Sequence, residues 1–148
     1  MGREILLLLL LLAVVSRGLS DNCTSCLFGQ NVHCTFRQYT SVPTHCFSSD
    51  VTSINLDHND ITELVEHQFS KFTNLRDIHI NYNKIKFVHK TAFDGLSKLI
   101  ALHLEHNEIT TFPQIGVMGI SIVELKGNKI KEIRREHING LTSLTHLY

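Results

Sequence analysis

The chain has 148 residues and carries 14 Lys and Arg against 14 Asp and Glu, a formal net charge of zero. That length bounds the answer to one domain, and the charge balance argues against nucleic acid or an anionic lipid surface as a partner held by long-range electrostatics. Trp is absent and Pro scarce, but Leu, Ile, Val and Phe recur at spaced positions, which excludes a low-complexity or disordered chain and predicts a buried core.

Residues 1–20 read as an export signal: Arg3 in the charged leader, an unbroken apolar run from Ile5 to Val15, and small residues at Gly18 and Ser20 suited to cleavage before Asp21. The run is well short of the roughly 20 apolar residues that cross a bilayer, so no membrane insertion is expected and the product is read as secreted. In an oxidising compartment Cys23, Cys26, Cys34 and Cys46 are expected as disulfides rather than metal ligands or nucleophiles, with three pairings open to four cysteines. Asn22-Cys23-Thr24 fits an N-glycosylation sequon. Residues 21–50 show no repeat; their cysteines and Val42-Pro43 read as a cap over the first strand, whose open edge would otherwise invite pairing.

From residue 51 the chain repeats itself. Apolar residues stand at positions 1, 4, 6 and 11 of each unit and Asn at position 9: Val51, Ile54, Leu56, Asn59, Ile61, then Leu75, Ile78, Ile80, Asn83, Ile85. Two further units start at Leu99 and Ile120, and the Asn marks 59, 83, 107 and 128 are separated by 24, 24 and 21 residues. The units are 51–74, 75–98, 99–119 and 120–143, with a fifth beginning at Leu144. This is a leucine-rich repeat pattern, and it predicts an α/β-type solenoid. That fold is a right-handed superhelix with a parallel concave sheet and a disulfide-bonded N-terminal cap. Positions 4 and 6 should point inward and 3, 5 and 7 outward, because strand side chains alternate with period 2. The Asn amides should form a ladder satisfying buried backbone groups. Leu64, Val88, Phe112 and Ile133 at position 14, with Phe69, Phe93 and Ile138 at position 19, should form the back wall of the core. The shorter third unit carries Phe112-Pro113, which predicts an extended rather than helical return.

Residues 23–148 resemble the small leucine-rich proteoglycans of extracellular matrix, the decorin, biglycan and asporin group above all and the mimecan and epiphycan group next. Val32-His33-Cys34 followed by Val42-Pro43 looks like the end of that family's cap, and the long, long, short order of the repeats resembles its alternation. The resemblance implies an extracellular-matrix component that binds collagen, other matrix proteins or growth factors through its concave face. Cys26 and Cys34 match the family's second and fourth cap cysteines, which implies that they pair and leaves Cys23 with Cys46. The chain departs from the family in lacking a further Cys between 26 and 34 and in carrying no Ser-Gly dipeptide for a glycosaminoglycan chain. Toll and glycoprotein-hormone receptor ectodomains have similar caps, so a soluble or truncated receptor ectodomain in immune or signalling recognition is the alternative. Tyr148 falls inside the strand of the fifth repeat, which reads as a fragment or short isoform, or as self-association through this uncapped end.

The outward columns locate the expected binding surface. Asn55, His79, His103 and Glu124 share position 5; Asp57 and Glu105 share position 7; His58, Tyr82 and His106 share position 8; and Asp77 lies at position 3. Such donors and acceptors suit protein partners, the aromatic rings as anchors and the charges for specificity. For any one of these residues a merely solvated sheet face is the competing reading. His79, His103 and Glu105 also have spacing compatible with a shared zinc ion, but a solvated His pair without groups to orient its rings is usually innocent. No Ser, Thr or Cys has an evident His and carboxylate partner set, so neither catalysis nor a cofactor is expected. With His58, His79, His103 and His106 on one face, binding should depend on pH near neutrality.

Overall fold

The computed structural model describes residues 27–148. The export signal, the Asn22 sequon, Cys23 and Cys26 lie outside the described residues. Six short strands stack in parallel: β2 (Asn31–His33), β3 (Ser53–Asn55), β5 (Asp77–His79), β7 (Ala101–His103), β8 (Ile122–Glu124) and β9 (His146–Leu147). Between them β4 (Glu63–Leu64) and β6 (Phe87–Val88) form a separate parallel pair. β1 (Leu27–Phe28) closes the cap end by pairing antiparallel with β2 through a two-residue turn, where Gly29 takes φ +64°. The result is a solenoid of parallel strands, as the repeat pattern predicts.

Register follows the repeat numbering. Ile54 pairs with Ile78, Ile78 with Leu102 and Leu102 with Val123, so position 4 forms one buried column through the stack. Leu56, Ile80, Leu104 and Leu125 form the buried column of position 6 beside it. Burial of such side chains, at roughly 1.5–3 kcal/mol each, is the main term favouring the stack.

The Asn ladder sits where each strand turns away. Asn107 donates from Nδ2 to the carbonyls of Ile80 and Leu104 and accepts at Oδ1 from the N–H of Ile85. Asn83 and Asn128 make the same kind of link to the preceding turn. No buried side-chain nitrogen or oxygen among the described residues lacks a partner. Outside the ladder, position 10 alternates in charge, with Lys84 2.7 Å from Asp60 and Lys129 2.8 Å from Glu108. The hydrogen bond to Asp60 raises the pKa of Lys84, and that from Lys129 lowers the pKa of Glu108. Both pairs are solvent-screened and contribute little.

The cap is a partial repeat. Asn31, Val32 and His33 pair in parallel with Ser53, Ile54 and Asn55, which places Val32 and Cys34, both fully buried, at positions 4 and 6. Asn59 closes this turn too, donating to the Cys34 carbonyl and accepting from the N–H groups of Arg37 and Tyr39. Cys34 and Cys46 each take part in a disulfide, and the partners that the resemblance implies for them, Cys26 and Cys23, lie outside the described residues.

Among the described residues the convex side carries one four-residue helix, α1 (Arg135–Ile138). Residues 112–117 are irregular, in keeping with Phe112-Pro113. Two expectations about the back wall are corrected. Ile133 and Ile138 do not belong to the core, being 50% and 39% exposed, because no complete turn packs on the far side of the fourth repeat. Val88 is only partly buried and packs at the margin of the core. Among the described residues no helix is long and apolar enough to cross a membrane.

Candidate functional site

The ladder register brings the rings of the outward columns at positions 5 and 8 into contact. At position 5 the His79 and His103 rings stack with centroids 4.2 Å apart and planes 3° from parallel. His103 Nδ1 lies 2.5 Å from Glu124 Oε2 on the next strand. Burial, then the neighbouring His103, pushes the pKa of His79 below the usual imidazole value, against the opposing pull of Asp57, Asp77 and Glu124. Asn55 opens this column, its Oδ1 accepting the N–H of Asp57.

Position 7 is a hydrogen-bonded floor. Asp57 Oδ1 accepts the N–H of Asn81 at 2.6 Å, and Asn81 Oδ1 accepts the N–H of Glu105 at 2.7 Å, so these side chains are held against the strands. Asp77 stands at the start of β5, between Ser53 and Ala101 in register.

Position 8 holds the most exposed chemistry. His58, Tyr82 and His106 stack as a continuous column, Tyr82 centred 4.5 Å from each imidazole, and Phe36 extends it from the cap at 4.4 Å from His58. All four adopt left-handed backbone, with φ between 52° and 56°. That region costs an ordinary residue roughly 1–2 kcal/mol, and here the ladder imposes it at the bend after each strand. Phe36 is 72% and Tyr82 48% exposed. Both faces of the internal rings are covered by their neighbours, so the column shows solvent its edges: the Tyr82 hydroxyl and the imidazole nitrogens. Gly127 continues position 8 at φ +76°, and a Cβ there would lie 2.6 Å from His106 Nδ1. Gly127→Ala should therefore cost about 1 kcal/mol in chemical denaturation and displace the imidazole, visible as a changed His106 ring resonance.

The sequence reading placed the ten column residues on one face, and the structure brings them together there. It does not unite His79, His103 and Glu105 as ligands. The imidazoles lie face to face, so their nitrogens do not converge, and Glu124 rather than Glu105 meets His103 because position 5 neighbours position 5 across the ladder. Among the described residues no group of three or more His, Cys, Asp and Glu is arranged to hold a metal ion. Sequence reasoning missed Phe36, whose place in the column follows only once the cap is aligned as a partial repeat.

Comparison with known proteins agrees with the architecture. The family profile described as Leucine rich repeat matches residues 49–109 and 73–123. Over 134 residues the chain is 30% identical to epiphycan of Gallus gallus, covering 86% of this chain and 42% of that protein. It is 34% identical over 76 residues to leucine-rich repeat-containing G-protein coupled receptor 5 of Rattus norvegicus, 51% of this chain but 8% of the receptor. Decorin of Oryctolagus cuniculus is 31% identical over 91 residues, 60% of this chain and 25% of its own length. The chain thus spans less than half the length of each of these relatives. Among solved structures, that of a TLR13–ssRNA13 complex superposes with TM-score 0.73 at 27% identity, over 82% of this chain and 18% of the other. Repeat spacing, Asn ladder and profile coincide over the same residues, and the chain belongs to the leucine-rich-repeat family.

Proposed function

We propose that this chain is a secreted binding module that engages extracellular proteins, such as collagen, other matrix proteins or growth factors, through its concave face, and that it performs no catalysis. The observation that supports this most is the set of ordered outward columns, above all the exposed Phe36–His58–Tyr82–His106 stack beside the hydrogen-bonded floor of position 7. A rigid array of aromatic and polar groups loses little side-chain entropy when a partner is bound, which is what hot-spot surfaces require. The likeness to epiphycan and decorin favours the matrix reading. The likeness to a G-protein coupled receptor's repeats favours a second one, a receptor-type ectodomain that recognises a protein ligand with the same face.

The test is a panel of purified collagen, matrix proteins and growth factors assayed against two variants. Substituting His79, Tyr82 and His103 together by Ala should weaken a panel partner at least tenfold, whereas Lys90→Ala with Lys98→Ala on the convex return should leave it within twofold. Equal losses from both sets would refute the concave assignment.

A further inference from the structure

The concave face has a charge pattern that selects among protein partners. Its outward positions carry the carboxylates of Asp57, Asp77, Glu105 and Glu124 against a single ammonium, Lys126. Glu124 is engaged by His103, and Asp57 keeps one oxygen on the Asn81 N–H, which fixes its carboxylate without neutralising it. Asp57 and Glu105 stand two strands apart in the same column, hence about 9.6 Å apart at the usual strand separation of about 4.8 Å. A chain in the polyproline II conformation advances about 9.3 Å in three residues and completes one turn, so every third side chain falls on the same face. Beside this floor runs the stacked ridge, offering the Tyr82 hydroxyl and imidazole nitrogens at the ring edges.

From this geometry we infer that the concave face docks an extended, cationic segment of a partner protein, running across the strands with Arg or Lys at every third residue over Asp57 and Glu105 and its backbone donors against the ring edges of position 8. The inference rests on the concave-face reading and adds the partner's chemistry. Arg fits better than Lys, because its planar fork reaches a carboxylate and a ring-edge acceptor at once. Acidification opposes docking, since protons on imidazole rings add positive charge to the ridge and face, while burial and the neighbouring His103 lower the pKa of His79. The charges acting on His79 are those of His103, Asp57, Asp77 and Glu124, and Glu105 and Lys126 share the outward position 7.

The test uses fluorescence anisotropy with two labelled twelve-residue peptides of Gly and Ser, one with Arg and one with Glu at every third position. The Arg peptide should bind the wild-type chain at pH 7.5 and low salt at least tenfold tighter than the Glu peptide. Its affinity should fall at least tenfold in the Asp57→Asn, Glu105→Gln double variant, which keeps the Asp57 acceptor oxygen, and again at pH 5.5. Preference for the Glu peptide, an unchanged affinity in the double variant, or no binding of the Arg peptide would each overturn the inference. Glu-peptide binding that is lost on substituting His79, Tyr82 and His103 would overturn the cationic partner and leave the concave reading standing. Binding indifferent to every concave substitution would overturn both.

Discussion

Phe69→Ala is expected to lower the unfolding free energy by about 3–5 kcal/mol, a large share of the roughly 5–15 kcal/mol that holds a domain folded. Phe69 is fully buried at position 19 of the first repeat, and its ring lies parallel to that of Phe93 with centroids 5.9 Å apart. Its backbone N–H is tied to the Ala92 carbonyl of the next turn, so the main chain around it has little freedom to close on the space left behind. Truncation thus removes both the transfer energy of the ring and the contacts of its neighbours. The equivalent Phe93 faces the shortened third repeat, where an open cleft of about 440 Å³ is lined by Leu96, Val117 and Met118 as well as Phe93 itself. Urea denaturation followed by circular dichroism measures the loss. A change below about 1 kcal/mol for Phe69→Ala would show that the back wall is loosely packed.

The second large effect is expected at the ladder. Asn107→Ala should cost about 2–6 kcal/mol, because the Ile80 carbonyl and the Ile85 N–H lose their partner at once while the Leu104 carbonyl keeps Asn128, and each unmet buried group costs about 1–3 kcal/mol. The amide nitrogen donates to Ile80 at 2.9 Å and Leu104 at 3.1 Å, and the oxygen accepts from Ile85 at 3.0 Å, at a residue only 5% exposed. These bonds join the second repeat to the third, so their loss should also raise amide exchange in the turns on either side. Asn128 makes an equivalent set in a less buried place, and Asn128→Ala should cost less by the same denaturation measurement. Equal costs at both positions would mean that burial does not govern the ladder.

The stack and its ladder were legible in the sequence because both obey a fixed rule: side chains alternate across a strand, and parallel neighbours repeat the register. That rule placed Ile54, Ile78, Leu102 and Val123 inside and His79 beside His103 before any coordinates. It failed at three places for physical reasons. Phe36 escaped notice because the cap carries Gly29 where a repeat has an apolar residue and Arg37 where it has Asn; the strand is repeat-like only through its pairing with β3. Ile133 and Ile138 have the periodicity of core residues, but periodicity gives the direction of a side chain and not what covers it. Glu105, two residues along the same strand, is the carboxylate that the sequence sets beside His103 in a zinc spacing, whereas the one that meets the ring is Glu124 across the ladder. The left-handed bend at position 8, which lines up four aromatic rings in one column, has no consistent signature in residue type, since His58 and His106 belong to a type enriched there but Phe36 and Tyr82 do not.

The binding assignment can be tested by placing one photo-crosslinker on each side of the solenoid. Tyr82 on the concave side and Phe87 on the convex side are both aromatic and about half exposed, and p-benzoylphenylalanine keeps a ring at either position. With a bound panel protein or the Arg peptide present, irradiation should give a covalent adduct from position 82 and none from position 87. Adducts from position 87 with none from position 82 would contradict the proposal that the concave face is where this protein binds.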